Sequence, residues 1–163
     1  MLKFELVTVN QLDKAIQLEL DGYPADEAAS LESFQLRQSQ ASDLFLGAFE
    51  PLDAGLIGFV CGTRASGSTL THESMSRHDP EGSAVCIHSV CVAESHRRQG
   101  VALALLKEYA ERIRNISELK VERVLLIAHE ELIPLYTKAN FVLVGQSAVQ
   151  HGARPWFEMR YDL

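Results

Sequence analysis

At 163 residues, with 47% hydrophobic and 23% charged positions, the chain has the size and composition of one soluble globular domain, residues 1–163. A net charge of −7 disfavours nucleic acid and anionic membrane as partners and mildly favours a cationic one, although solubility alone would account for it. No apolar run approaches the roughly 20 residues of a membrane span. The start, MLKFELVTVN, is too short and too interrupted for a secretory signal. Cys61, Cys86 and Cys91 sit in apolar segments, odd in number and without zinc or disulfide spacing, so a cytosolic protein with buried thiols and no metal is expected. In that compartment the sequon at 115–117, Asn-Ile-Ser, carries no meaning.

In chain order, FELVTV (4–9) alternates as a strand and ends at Asn10, a plausible helix cap. Residues 11–23 read as a helix stopped near Gly22. Residues 23–41 begin with Pro24 at a turn or first helical position and continue as a second helix or a loop. LFLGAFE (44–50) and GLIGFVCGTRA (55–65) read as strands joined by a hairpin-type connection. A polar loop at 66–83 has room for one short helix. Strand 84–93, helix 98–115, strand 121–128, helix 130–138, strand 140–147 and strand 155–162 complete the chain. Antiparallel neighbours followed by a strand–helix–strand crossover predict a mixed α/β domain, not a doubly wound sheet.

Strand 84–93 carries the first chemical signal. Regular alternation would put Cys86, His88 and Val90 on one face and Ile87, Ser89 and Cys91 on the other. A histidine in so apolar a strand needs a partner or a cavity; it is either a satisfied core residue or a working one. The helix that follows has Gly100 at its mouth and an inward stripe of Ala102, Leu105, Leu106, Tyr109, Ala110 and Ile113. Glycine lets backbone approach a ligand, and the free N–H groups of a helix start bind phosphate. Arg97 and Arg98 add positive charge. An ordinary helix start with a solvated basic turn fits the loop equally well.

Arg97-Arg98-Gln99-Gly100-Val101-Ala102 resembles the acetyl-coenzyme A signature of the GCN5-related N-acetyltransferases: Arg or Gln, two residues, Gly, one residue, Gly or Ala. LYTKANF (135–141) resembles the Leu-Tyr-x-x-x-Gly-Phe segment of the same superfamily, with Asn140 in place of the glycine, a residue that also tolerates positive φ. The resemblance implies a central, mainly antiparallel sheet of about seven strands flanked by helices. Its splayed parallel pair, here 84–93 and 121–128, would take acetyl-CoA. YPADEAAS, LTHESMSRHDPEGS, HEELIPLYTKANFVLVG and PWFEM are similar to the arylalkylamine (serotonin-type) N-acetyltransferases in a fungal-looking form. Vertebrate members carry His-x-His in the core strand, where this chain has Cys86 and His88. They also carry phosphorylatable basic extensions, whereas this chain starts at its first strand and ends at EMRYDL, so no phospho-dependent adaptor is expected.

The activity so implied is acetyl transfer from acetyl-CoA to the primary amine of a small arylalkylamine of the serotonin, tryptamine or phenylethylamine type, by direct attack on the thioester. The alternatives are a polyamine (spermidine, putrescine) N-acetyltransferase, a protein or peptide acetyltransferase, and a non-catalytic acyl-CoA sensor. An alkylamine of pKa near 10 is only about one part in a thousand neutral at pH 7. His88 is therefore expected to act as the base, directly or through water. Tyr136 would face the coenzyme sulfur and protonate the thiolate. Backbone N–H groups of Arg98, Gln99, Gly100, Val101, Ala102 and Leu103 would hold the pyrophosphate, and backbone of Val90, Cys91 and Val92 the pantetheine arm. Tyr23, Pro24, Val90, Ile127 and Trp156 would line the amine pocket. His72, His78, His129 and His151 read as surface or pocket-rim residues. Asp26, Glu27 and Glu32 read as a solvated cluster able to attract a polyamine ammonium. A monomer is expected.

Overall fold

The computed structural model describes residues 2–116 and 120–163; Ser117 of the sequon therefore lies outside the described residues. The strands are β1 (Lys3–Leu6), β2 (Phe45–Phe49), β3 (Leu56–Ala65), β4 (Ala84–Val92), β5 (Arg123–Ala128), β6 (Val142–Gln146) and β7 (Phe157–Asp162). The helices are α1 (Leu12–Gly22), α2 (Leu31–Gln40), α3 (His72–Ser76), α4 (Val101–Asn115) and α5 (Ile133–Lys138). They form a seven-stranded sheet in the order β1-β2-β3-β4-β5-β7-β6. Only β4 and β5 run parallel, joined by α4. This is the mixed α/β domain expected from the element order, with the mainly antiparallel seven-stranded sheet that the resemblance implies.

Element ends moved where side chains cap differently. Asn10 is not a cap: it lies in a 3-10 turn, Val9–Gln11, entered from Thr8, whose N–H donates to Gln11 Oε1 at 2.9 Å. The second helix starts only at Leu31, because Ser30 Oγ accepts from Ser33 N (3.2 Å) as its N-cap. The chain before it turns on the Pro24 carbonyl, which accepts from Glu27 N (2.9 Å) and Ala28 N (3.0 Å).

Two apolar layers sandwich the sheet. On one side Val101, Leu105, Leu106, Tyr109 and Ile113 of α4 pack with Tyr136 and Phe141 against Val85, Ile87 and Leu126. On the other, Leu12, Ala15 and Leu18 of α1 and Phe34 of α2 close over Phe45, Phe59 and Cys61. Ala102, expected in the α4 stripe, is only half-buried, and Val101 takes the inward place.

The regular alternation expected along β4 fails at one residue. Cys61 of β3 pairs with Ser89, but the next residue, Gly62, pairs with Ile87. His88 is thus an extra residue, a β-bulge that shifts the face of everything beyond it. Val85 and Ile87 pack on the α4 side; after the bulge Val90 and Val92 do so instead, while Cys91 joins Cys61 under α1. Gly62 permits the close approach, since a Cβ there would meet Cys86 O at 2.6 Å and Tyr109 Oη at 2.7 Å. Beside the bulge the parallel pair opens: β4 and β5 are in register only over Ala84↔Arg123, Val85↔Val124 and Cys86↔Leu125.

Candidate active site

The opening between β4 and β5 leads into a cavity of about 380 Å³ between the sheet and the α1–α2 layer. Its walls include Tyr23, Thr63, His88, Ile127, Tyr136 and Trp156, from six separate stretches of chain. The bulge is what aims His88 there beside Ser89, which the alternating pattern had put on the opposite face.

One ring nitrogen of His88, Nε2, lies 2.7 Å from Thr63 Oγ1; the other, Nδ1, is buried with no hydrogen-bond partner. A satisfied core histidine would have partners on both nitrogens. We assign the tautomer that donates from Nε2 to Thr63, because it leaves Nδ1 as an unshared lone pair and not as a stranded buried donor. Burial holds the imidazole well below its ordinary range, and the Arg37 guanidinium adds to that depression. His88 is therefore neutral near pH 7.

Tyr136 enters from α5, with its ring edge-on to Phe141 (centroids 6.0 Å apart). Burial, reinforced by Cys91, raises its phenol well above the ordinary value, so it remains a proton donor. The α5 helix closes on Asn140, at φ 74°, with Phe141 N donating to Tyr136 O at 3.0 Å; asparagine fills the left-handed position without distorting the turn. Tyr23 stands nearby, its hydroxyl 3.4 Å from Val90 N and 3.5 Å from Val90 O. That backbone was expected to face the pantetheine arm. Arg97 Nε likewise donates to Val92 O at 3.0 Å.

Of the expected pocket residues, the structure brings Tyr23, Ile127 and Trp156 to the cavity. It does not bring Pro24, which lies exposed in the turn, or the Val90 side chain, which the bulge sends to the α4 side. Cys86 is buried beside Ala84 and Leu125, and burial pushes its thiol up to about 12, so it stays protonated.

Several residues in and behind the cavity wall escaped the sequence reading. Glu27 is not solvated but 5% exposed, and its Oε1 lies 2.8 Å from His129 Nε2. His129, expected at the surface or rim, is buried, with Nδ1 2.9 Å from Pro155 O and its ring stacked on Trp156 at 3.8 Å. Acceptor oxygens thus face both of its nitrogens. His151 Nε2 donates to Glu27 O (2.7 Å) and Trp156 Nε1 donates to His151 O (2.6 Å), so this strap ties the turn after α1 to the end of β5. Asp26 and Glu32 are exposed, as expected. Glu19 and Arg37 are buried charges on the cavity wall. The signal for Arg37 was its spacing after Phe34 and before Ala41 on the inner stripe of a helix.

At the far end of β4, Arg98 (φ 62°) and Gly100 (φ 80°) both adopt left-handed backbone, and α4 starts at Val101. The first intrahelical bond is Ala104 N to Gly100 O (3.0 Å), which leaves the N–H groups of Val101, Ala102 and Leu103 without helical acceptors. A Cβ on Gly100 would meet nothing within 4 Å, so the backbone angle selects glycine and the space before it is open. Free N–H groups, a helix dipole and exposed Arg98 fit a pyrophosphate.

Residues 62–163 match the acetyltransferase (GNAT) domain family. The serotonin N-acetyltransferase of Mesocricetus auratus is 32% identical over 121 residues, 74% of this chain and 56% of that protein. The human serotonin N-acetyltransferase is 29% identical over the same length, again 74% and 56%. The chain thus spans about half the length of the curated relatives it matches. Among solved structures, the loading GNATL domain of CurA from Lyngbya majuscula superposes with a TM-score of 0.83 over 99% of this chain and 98% of that one, at 14% identity. Arabidopsis thaliana NAA60 in complex with acetyl-CoA superposes with a TM-score of 0.76 over 100% of both chains, at 23% identity. At those identities the likeness is one of fold. With the family match covering residues 62–163 on a seven-stranded sheet that opens at β4–β5, the chain belongs to the acetyltransferase (GNAT) family.

Proposed function

We propose that the protein transfers acetyl from acetyl-CoA to the primary amine of a small arylalkylamine. The observation that carries this reading is one cavity holding a neutral imidazole with a free nitrogen, His88, and a protonated phenol, Tyr136. The similarity to serotonin N-acetyltransferases supports the substrate class. Aromatic walls from Tyr23 and Trp156, with Ile127, suit an indole or phenyl ring.

Acetyl-CoA, held through its pyrophosphate by the Val101, Ala102 and Leu103 N–H groups, supplies the activated acyl group. His88 Nδ1 takes the proton that the ammonium must lose, and Thr63 keeps that nitrogen basic by holding the other proton at Nε2. Tyr136 Oη gives its proton to the departing thiolate. The amine nitrogen gains the acetyl group and the thioester C–S bond breaks.

The test is thiol release from acetyl-CoA with tryptamine, serotonin and phenylethylamine, and with spermidine and putrescine as the polyamine alternative. Amine-dependent release with the aryl amines is the expected result. Release only with polyamines would move the assignment, and coenzyme binding without any release would make the chain a sensor.

A further inference from the structure

Five charged side chains lie buried among the described residues apart from the histidine of the strap, and four have strong partners. Glu19 accepts from Ala29 N (2.9 Å) and Cys91 Sγ (3.4 Å), and Glu27 meets His129 (2.8 Å). Glu158 accepts from Leu70 N (2.7 Å), and Arg64 Nε donates to Gly82 O (2.9 Å). Arg37 differs. It is 8% exposed, its guanidinium carbon lies 6.0 Å from the centre of the Phe34 ring, and its polar contact is Cys61 Sγ at 4.0 Å. That contact is long, and burial pushes the thiol up to about 11, so Cys61 supplies no anion at neutral pH. Among the described residues no carboxylate comes within ion-pair distance of Arg37.

A guanidinium carries five donors in a planar fork and is always charged. Buried without an anion, it awaits one, and a carboxylate matches its geometry with two parallel hydrogen bonds. Arg37 stands on the wall of the same cavity as His88 and Tyr136. Its charge is felt at His88, so the two groups can address one bound molecule. Glu19 and Glu27 also line the cavity, but both are engaged, Glu19 by Ala29 N and Cys91 and Glu27 by His129, so neither answers Arg37. A cavity that holds both an unanswered buried cation and His88 is matched by a ligand that has both a carboxylate and an amine.

We infer that the acceptor is an amine that also bears a carboxylate, an amino acid or amino-acid-like compound, and that Arg37 is the residue that selects it. This rests on the acetyltransferase reading and narrows its substrate class. A plain arylalkylamine leaves the Arg37 fork unfilled, and a polyamine sets a second cation against it. A carboxylated amine fills it and is held with its nitrogen towards His88.

Matched pairs test this with the full chain: tryptamine against tryptophan, phenylethylamine against phenylalanine, and butylamine against 4-aminobutyrate, which spread the carboxylate over different distances from nitrogen. In the wild type, at least one carboxylated member should show kcat/KM ten-fold or more above its partner. In Arg37→Met that ratio should collapse towards one, and Arg37→Lys should recover part of it as a point charge. Calorimetric binding of the same pairs gives a readout free of catalysis. If no amine is acetylated, the acetyltransferase reading fails, yet carboxylate-dependent binding lost in Arg37→Met would still support Arg37. Equal or better turnover and binding of the plain amines throughout the wild-type series overturns the inference without any variant. A preference confined to the acyl side, succinyl- over butyryl-CoA with tryptamine, would assign the anion to the thioester and also overturn it.

Discussion

The pH dependence of acetyl transfer is the sharpest test of His88. Near its ordinary pKa of about 6.5 an imidazole is already about three-quarters neutral at pH 7. Burial and Arg37 push His88 lower, so the fraction able to accept a proton at pH 7 is higher still. The sign follows: kcat/KM should hold through about 6.5 and fall only at lower pH, and His88 should contribute no rise above neutrality. The amine enters as the ammonium that His88 deprotonates, so its own limb is a fall above its pKa near 10. Two amines of different pKa separate the limbs: the alkaline limb should follow the amine and the acid limb should stay fixed. His88→Gln, which keeps a polar group near Thr63 but removes the base, should erase the acid limb and lower kcat by roughly 10²-fold. Folding carries the same sign. The unfolded imidazole takes a proton near 6.5 and the buried one resists it, so stability present at neutral pH declines as pH falls through that value. A His88-dependent limb centred at or above about 6.5, independent of the amine, would refute the argument, because the imidazole would then not be depressed.

Tyr136→Phe keeps the ring against Phe141 and removes the donor, so stopped-assay kinetics should show a loss in kcat with little change in acetyl-CoA affinity; equal kcat would mean the phenol only packs. Gly100→Val forces a β-branched residue to φ 80°, which costs about 1–3 kcal/mol, and should weaken acetyl-CoA binding by calorimetry in a folded variant. Glu27→Ala leaves His129 Nε2 buried without its acceptor, a cost of about 1–3 kcal/mol, so thermal unfolding should move down by roughly 2–12 °C and the KM for amine should rise as the strap loosens.

Much of the fold was legible because local signals agreed. Apolar spacing gave most of the inner face of α4, Gly100 and Asn140 marked two of the left-handed positions, and the strand–helix–strand order indicated the parallel pair. The bulge was not legible. CIHSVCV reads as regular alternation, and the shift at His88 depends on the approach of β3, through Gly62, and on Tyr109 beneath it. The buried charges were hidden for a similar reason. Residues 24–40 are polar enough to read as a solvated turn and helix. What buries Glu27 is chain more than a hundred residues later, folding over through His129, His151 and Trp156. Thr63 gave no sign by itself, since a threonine in a strand is ordinary until its partner across the ladder is known.

The charged wall raises a question of stability against use, and Arg37 answers it in a measurable way. Taking an ion out of water is costly, and an unpaired buried guanidinium recovers little of that cost from a thiol at 4.0 Å. Replacing buried ions with apolar groups of similar volume is often neutral or stabilising, by up to about 4 kcal/mol. Arg37→Met, which keeps the stem over Phe34 and deletes the charge, should therefore unfold at the same temperature as the wild type or higher, by up to roughly 8–16 °C for a chain of this size. Ligand-induced stabilisation should behave in the opposite way. A carboxylated amine that raises the wild-type Tm should raise that of Arg37→Met much less, because binding stabilises only in proportion to affinity. If the variant instead unfolds several degrees lower with no ligand present, Arg37 supports the fold through the Phe34 and Cys61 contacts, and its place on the cavity wall is a matter of packing.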